Sequence, residues 1–283
     1  MRLPTIALAA CTLLAATLRV AGRPSRHSLS PRQSATGYAN PTDNGGSWLT
    51  TTAVGLGEPL NVIISGESDE GVLSEEGVVE YFRSLFYSEG SCFNITLGNE
   101  QAANLGDGQG TLNQTDIKRY NYYLGDSGTC LQSLNGGPHF RYWQQSTTRA
   151  WFLATSYSDD ADTNHMIIPN GYDLNRDQLS SNATNATGTF SPGGFEYTAT
   201  RTQAPLLADV PLASINHGIA TDGNVDILTV RIRKTGTLGA NSNQPASVTN
   251  ARGGGSSGAS KSVEMSTAAM LLLAVPLGAS CLL

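Results

Sequence analysis

The order of apolar and polar residues along the chain predicts mostly strands. Residues 60–65, Leu-Asn-Val-Ile-Ile-Ser, form a short apolar run rich in β-branched side chains, which is typical of a central strand. Later segments combine β-branched and aromatic residues between turn-forming residues and predict further strands. These segments are residues 92–97, 139–145, 150–157, 164–168, 194–201 and 225–233.

One early segment has helical spacing instead. Ser74 can cap a helix that runs to about Tyr87, because the two glutamates after it suit the amino end of a helix. The apolar side chains that would face the core are Val78, Val79, Phe82 and Phe86. One early helix followed by many strands predicts an α+β fold, a single domain with a mixed or antiparallel sheet and this helix packed on it.

The segments on either side of this region differ from it in composition. Residues 23–47 are rich in Ser, Pro, Arg, Gly and Asn, and residues 238–257 are rich in Gly, Ser and Asn. Such compositions predict a flexible, disordered arm and a flexible stalk. The folded domain is therefore predicted to span residues 48–237, which is the size of one domain.

Both ends of the chain carry apolar segments that predict processing. Residues 1–22 combine an early arginine, an apolar stretch and small residues near position 22, which indicates a secretory signal peptide; the alternative is a short buried helix. Residues 258–283 join a polar spacer to a short apolar tail, and small residues precede them. This pattern indicates a glycosylphosphatidylinositol (GPI) attachment signal with Ser257 as the attachment residue. A tail-anchored membrane protein is the alternative, which the signal peptide disfavours.

Cysteines and glycosylation motifs fit the same compartment. Cys92 and Cys130 are the only cysteines outside the two predicted processing segments. An oxidising compartment would join them, whereas a metal site or a nucleophile pair is the alternative. Asn-x-Ser/Thr motifs predict N-glycosylation at Asn94, Asn113, Asn182 and Asn185. The last two of these lie in a Ser/Asn/Thr-rich stretch that we interpret as an exposed loop.

The charge balance argues against nucleic acid as a partner. The chain has a formal net charge of -6 and only 14% charged residues, whereas phosphate contacts need clustered Lys and Arg. Its 39% hydrophobic residues suffice for a core, so disorder of the whole chain is excluded. The expected partners are the outer leaflet of the membrane, through the lipid anchor, and a cell-wall polymer or another surface ligand. We predict no cofactor.

Residues 136–177 contain the densest set of chemically active side chains. On a strand, His139, Arg141 and Trp143 share one face, and residues 150–157 are a plausible hairpin partner. The candidate residues for an acid/base site are His139, Arg141, Asp159, His165 and Asp173. The alternative is an arginine–carboxylate network that ties loops to the sheet, with Trp143 and Trp151 in the core. The spacing matches no metal-ligand pattern, which favours that alternative.

Two acidic segments contain carboxylates of the kind that bind cations. Asp160-x-Asp162-x-Asn164 copies the first half of a calcium loop, but His165 stands where that loop needs glycine, so we predict no metal there. Residues 58–80 hold seven carboxylates and no cation, which we interpret as a solvated loop and helix start. These carboxylates are Glu58, Glu67, Asp69, Glu70, Glu75, Glu76 and Glu80. His217, near a turn, is interpreted as structural.

Some of these segments resemble a known group of proteins. The resemblance is carried by the strand from His139 to Trp143, with proline at position 138, by the Trp-Phe-Leu-Ala strand at 151–154, and by one set of later residues. That set is His165, Pro169, Asp173, Arg176 and Asp177. Over residues 55–235 the chain resembles an uncharacterised family of secreted or GPI-anchored fungal surface proteins. Residues 138–177 are more distantly similar to the LssY carboxy-terminal domain family, which has no assigned reaction. The resemblance implies a fungal cell-surface domain and transfers no catalytic residue.

Two functions follow from these patterns. The first is a GPI-anchored, N-glycosylated ectodomain at the plasma membrane or cell wall, with a structural or ligand-binding role. The second is a surface hydrolase that acts on wall polymer, with His139 and an aspartate of residues 159–177 as acid and base. A hydrolase requires His139, Asp159 or Asp173 and a neighbouring arginine to converge in an open cleft. A structural or binding module would instead pair each arginine with an aspartate, or line a groove with Tyr and Trp.

Overall fold

The computed structural model describes residues 37–52, 55–90, 92, 95 and 98–239, which all lie in one compact unit. Several sequence predictions fall outside the described residues. These are the signal peptide, residues 23–36 of the arm, residues 240–257 of the stalk, the GPI signal with Ser257, the glycosylation site Asn94 and most of the strand predicted at 92–97. In the described part of the chain, no helix has the length and apolar character needed to cross a membrane.

An eight-stranded mixed sheet forms the centre of the fold. The strands of this sheet and of a separate two-stranded pair, numbered together in chain order, are β1 (Val62–Ile64), β2 (Tyr87–Ser88), β3 (Ala102–Asn104), β4 (Thr111–Asn113), β5 (Asp116–Tyr120), β6 (Gly137–Gln144), β7 (Trp151–Ser158), β8 (Thr189–Phe190), β9 (Glu196–Ala204) and β10 (Val225–Lys234). Their order in the sheet is β2-β5-β6-β7-β1-β10-β9-β8, and β3 pairs separately with β4. β1 pairs in parallel with β10, and the other neighbouring strands of the large sheet are antiparallel.

Four α-helices accompany the sheet in the described residues: α1 (Glu70–Leu73), α2 (Glu75–Ser84), α3 (Asp126–Asn135) and α4 (Gly171–Ala183). The predicted early helix is α2, and Ser74 caps it, since its side-chain oxygen accepts a hydrogen bond from the Gly77 amide at 3.1 Å. α2 ends earlier than predicted, because Phe86 adopts a left-handed backbone (φ 66°) and Tyr87 already belongs to β2.

Side chains alternate across the sheet, and both faces are buried. On the face that we call the helix side, Val62 and Ile64 pack with Phe140 and Tyr142, and residues of α2 and α4 cover them. Ile63, Trp143 and Phe152 point to the opposite face, which we call the loop side. The residues that cover the loop side come from connecting segments and from β3: Trp48, Leu60, Ala103, Leu105 and Leu207.

The fold begins before residue 48, where the sequence predicted the end of a flexible arm. The Tyr38 ring lies 6.3 Å from the rings of both Trp48 and Phe152. Gln145 holds the same segment, because its side-chain amide donates to the Ala39 carbonyl at 2.9 Å and its oxygen accepts from the Ala39 amide at 2.8 Å. Residues 37–47 are therefore part of the packed domain, since an aromatic anchor and two hydrogen bonds hold them.

The α+β class and most of the predicted strands are confirmed. Residues 60–65, 139–145, 150–157, 194–201 and 225–233 correspond to β1, β6, β7, β9 and β10. β6 and β7 form the predicted antiparallel hairpin pair. The strand predicted at 164–168 is wrong, because this segment makes only an isolated bridge between Ser158 and Ile167. The Cys92–Cys130 disulfide is present, with Cα atoms 4.7 Å apart, and it ties α3 to the segment after β2.

Candidate functional site

A polar cleft opens on the loop side of the sheet, next to β6. It has a volume of about 470 Å³ and is lined by residues from five separate parts of the chain. Three histidines, an arginine and two carboxylates supply its charged and titratable groups: His139, His165, His217, Arg141, Glu58 and Glu100. The Thr52 hydroxyl and the amide side chains of Asn99, Gln101, Asn164 and Asn216 complete its polar lining. We refer to it as the histidine cleft.

Strand register places the arginines and His139 on one face. In the β5–β6 pair, Arg119 lies opposite His139 and Ile117 lies opposite Arg141. His139, Arg141 and Trp143 share the loop side, as their spacing on a strand predicted. The side chains of Arg119, His139 and Arg141 are all buried. Two guanidinium groups and an imidazole therefore lie close together beneath the cleft.

Both ring nitrogens of His139 are engaged inside the protein. Nδ1 lies 3.1 Å from the Gly137 carbonyl oxygen, which can only accept, so Nδ1 carries the proton. Nε2 lies 3.0 Å from Ser156 Oγ and therefore accepts from that hydroxyl. Burial lowers the pKa of His139 to about 3, and the positive charges of Arg141 and Arg119 act in the same direction. His139 is therefore neutral near pH 7 and lacks the imidazolium proton that a general acid would donate.

The wall of the cleft is built on strained backbone. Asn164, His165 and His217 adopt left-handed conformations, with φ values of 58°, 53° and 62°. Such conformations are costly for residues other than glycine and concentrate at functional sites. Both ring nitrogens of His165 are also buried without a hydrogen-bond partner in the described structure. The left-handed backbone and the unpaired ring nitrogens are both energetically unfavourable, and the rest of the fold holds these side chains at the cleft despite this cost.

Glu58 and Arg141 supply opposite charges to the same cleft. Arg141 donates from Nη1 to the Gln114 side-chain oxygen at 2.6 Å. Burial lowers the pKa of Arg141, while the charges of Glu58 and Glu100 oppose that shift. Glu58 is only 7% exposed, so the prediction that the carboxylates of residues 58–80 are solvated is wrong at this position. It is also wrong at Glu80, which is fully buried and accepts a hydrogen bond from the Gly193 amide.

Asp173 belongs to a different cluster, centred on Arg176. The Arg176 side chain is 1% exposed and forms ion pairs with Asp173 (3.1 Å), Asp177 (2.9 Å) and Asp222 (2.6 Å). Buried Asp226 lies 3.9 Å from Arg176 and 2.9 Å from Arg201. This cluster joins α4 to β9, β10 and the segment before β10. The arginine–carboxylate network inferred as an alternative from the sequence is therefore present here, and Trp143 and Trp151 are both in the core.

Two aspartates in and beside the calcium-like segment, Asp159 and Asp160, accept hydrogen bonds from backbone amides. Asp159 accepts from the amide of Asp160, and Asp160 accepts from the amide of Thr163, where it caps a short 3₁₀ helix. Asp162 is exposed, and Asn164 ends that 3₁₀ helix. In the part of the chain that the structure describes, no cluster of three or more His, Cys, Asp or Glu is arranged to hold a metal ion. Asp159 and Asp173 do not line the histidine cleft.

The described glycosylation motifs lie in different environments. Asn113 is exposed on β4, and Asn185 is exposed in a turn. Asn182 is half-buried in the last turn of α4, so the interpretation of this stretch as an exposed loop is wrong for Asn182. The end of this helix was missed because its last turn contains two serines and an asparagine, which favour caps and turns.

Sequence reasoning found His139, Arg141 and His165 but missed three other charged or titratable residues of the cleft. Glu58 was placed in solvent, Glu100 had no distinguishing pattern, and His217 was interpreted as structural. Their convergence depends on pairings between distant segments, for example the bridge between Gly57 and Ile215. Comparisons with protein-family models, curated proteins and solved structures found no match for this chain. The resemblance to fungal surface proteins therefore stays a prediction.

Proposed function

We propose that this protein is a secreted, N-glycosylated and GPI-anchored cell-surface ectodomain whose histidine cleft binds a small hydroxylated ligand, such as the end of a wall polysaccharide. The two processing signals in the sequence support the surface location. The joined cysteine pair supports an oxidising compartment, and Asn113 and Asn185 are exposed as glycan acceptors must be. The binding role is carried by the cleft.

The single observation behind the binding role is the chemistry of the cleft lining. Its carboxylates accept hydrogen bonds, its arginine donates them, and its amides and imidazoles can do both. Sugar hydroxyls also donate and accept, so each hydroxyl can be matched by a planar polar side chain of this set. A volume of about 470 Å³ lies in the range of small-molecule sites.

One observation favours a hydrolase as a second candidate. Glu58 is a nearly buried carboxylate in the same cleft as three histidines, which is the kind of setting that supports acid/base chemistry. The earlier pairing of His139 with Asp159 or Asp173 is not proposed again, because neither aspartate lines the cleft. A hydrolase at this site would use Glu58 as its acid or base, with His165 or His217 beside it.

The surface location is tested by treating intact cells with phosphatidylinositol-specific phospholipase C and measuring the intact mass of the released protein by mass spectrometry. We expect release of a glycan-bearing product that ends near Ser257. Retention of the protein in the membrane fraction, with Leu283 still attached, would contradict the lipid anchor.

The binding role is tested with soluble fragments of β-glucan, chitin and mannan, using calorimetry on protein produced from the full-length sequence in a eukaryotic secretory host. We expect at least one fragment to bind and Glu58→Gln to weaken it tenfold or more. Glu196→Gln, at an exposed ion pair with Lys234, is the control and should leave binding unchanged. If the protein shortens the bound fragment and Glu58→Gln abolishes this cleavage, the hydrolase is favoured. If no fragment binds, the proposed ligand class is refuted.

A further inference from the structure

The floor of the histidine cleft concentrates positive charge in a protein that is acidic as a whole. The β5–β6 register puts Arg119 beside His139, and Arg141 follows two positions along β6 on the same face. The chain nevertheless has a formal net charge of -6. Burying two guanidinium groups side by side on one face is unfavourable unless an opposite charge compensates them.

The charges within the protein compensate the two arginines unequally. Glu58 and Glu100 act on Arg141, whereas Asp116 is the carboxylate that acts on Arg119. Arg119 donates from Nη1 to the Gly90 carbonyl at 3.0 Å, and its buried Nε has no hydrogen-bond partner in the described residues. Burial and the charge of Arg141 lower the pKa of Arg119 to about 10. Arg119 thus keeps an excess of positive charge behind His139.

His165 adds an unsatisfied group at the wall of this floor. Its two ring nitrogens are buried and have no hydrogen-bond partner in the described residues. A left-handed backbone holds the residue there. A neutral imidazole can donate one hydrogen bond and accept another, and its protonated form donates two. A ligand oxygen that enters the cleft can supply the missing acceptor.

We propose that the ligand of the histidine cleft carries an acidic group, and that this group binds at Arg141 and His165 with Arg119 supplying positive charge from behind. The inference rests on the function proposed above and narrows its ligand to an acidic saccharide. Guanidinium groups bind carboxylates and phosphates through paired hydrogen bonds. We assign a single carboxylate to this position, because Glu58 and Glu100 line the same cleft. Their negative charges repel a doubly charged phosphate more strongly than a singly charged carboxylate.

The test compares sodium glucuronate, glucose and inorganic phosphate as probes, by calorimetry or by NMR shifts, on protein produced from the full-length sequence. Glucuronate should bind at least tenfold more tightly than glucose, and this preference should shrink between 50 and 500 mM salt, since salt screens charges. Arg141→Gln and Arg119→Gln should each reduce the preference at least fivefold. Arg149→Gln, at an exposed ion pair with Glu70, should leave it unchanged. Arg119→Lys, which keeps the charge, should retain most of it.

The outcomes separate this inference from the function on which it rests. Equal binding of glucuronate and glucose would overturn the acidic subsite and leave the cleft as a neutral-sugar site. Tighter binding of phosphate than of glucuronate would overturn the carboxylate assignment. If neither glucuronate nor any neutral sugar fragment binds, both proposals fail. Should Arg141→Gln fail to fold, Arg119→Gln and the salt dependence decide the matter.

Discussion

Replacing Arg176 by methionine should destabilise the domain more than any exposed ion-pair change. Arg176 is 1% exposed and is the shared partner of Asp173, Asp177 and Asp222. Breaking a buried ion pair from one side costs about 3–5 kcal/mol, because Asp173 stays buried without its cation. Asp177 and Asp222 are half exposed, so water can solvate them and they add little to this loss. Arg201 still pairs with Asp226, so that carboxylate is not left alone. For a domain of this size the loss corresponds to a Tm about 6–20 °C lower.

Urea denaturation and thermal unfolding at pH 7 measure this loss directly. Arg149→Met is the matched control, since Arg149 forms an exposed pair with Glu70 and should cost no more than about 1 kcal/mol. If Arg176→Met costs no more than Arg149→Met, the cluster is not the structural tie between α4, β9 and β10 that its geometry suggests.

The pH dependence gives a second, independent readout of the same cluster. Partial burial raises the pKa of Asp222, but hydrogen bonds from Arg176 and Asn224 outweigh it and lower that pKa to about 2. A lowered carboxyl pKa contributes stability that is present above the unfolded value near 4 and lost as the pH falls towards 2. The gap between wild type and Arg176→Met should therefore narrow from pH 4 to pH 2. A gap that stays constant over this range would refute the electrostatic origin of the effect.

Three further predictions concern the rest of the fold. Replacing Cys92 and Cys130 together by serine should lower the free energy of unfolding by about 3–4 kcal/mol, measured in urea, given their separation of 38 residues. The imidazole of His139 should not titrate by NMR between pH 5 and 8, because its pKa in the folded protein is about 3. Since this pKa lies below the unfolded value, the free energy of unfolding should fall as the pH drops below about 6.5, and His139→Gln should remove this pH dependence. Phe82→Ala, at a fully buried ring, should cost about 3–5 kcal/mol by thermal unfolding, whereas Phe190→Ala, at a ring 38% exposed, should cost under about 1.5 kcal/mol.

The sequence predicted those elements whose apolar pattern matches their burial. β1 is a continuous apolar run because both faces of the sheet are covered, and α2 places Val78 and Phe82 on its core side. α4 was missed although Tyr172, Leu179 and Ala183 are buried at helical spacing. The reason is that α4 also buries Arg176 and a set of polar side chains, so no clean apolar stripe marks the helix.

Strand spacing accounts for two residues of the candidate site, and His165 was named only because it lies nearby in the sequence. The shared face of His139 and Arg141 follows from the two-residue period of β6. Glu58, His165 and His217 come from segments that are far apart in the chain and meet through tertiary pairing. Residue spacing does not show which distant segments come into contact. For this reason Asp173 was grouped with His139, although its ion-pair partner is Arg176.

The place of β1 in the sheet sets the order in which the protein can fold during synthesis. β1 lies between β7 and β10, and its register joins Val62 to both Leu153 and Asp226. A nascent chain therefore lacks one neighbour of its central strand until β10 has been made. The two cysteines of the disulfide both precede β10 and can pair before the sheet is complete. Truncation before Val225 leaves an open apolar edge in the middle of the sheet, and such edges are where unfinished chains associate.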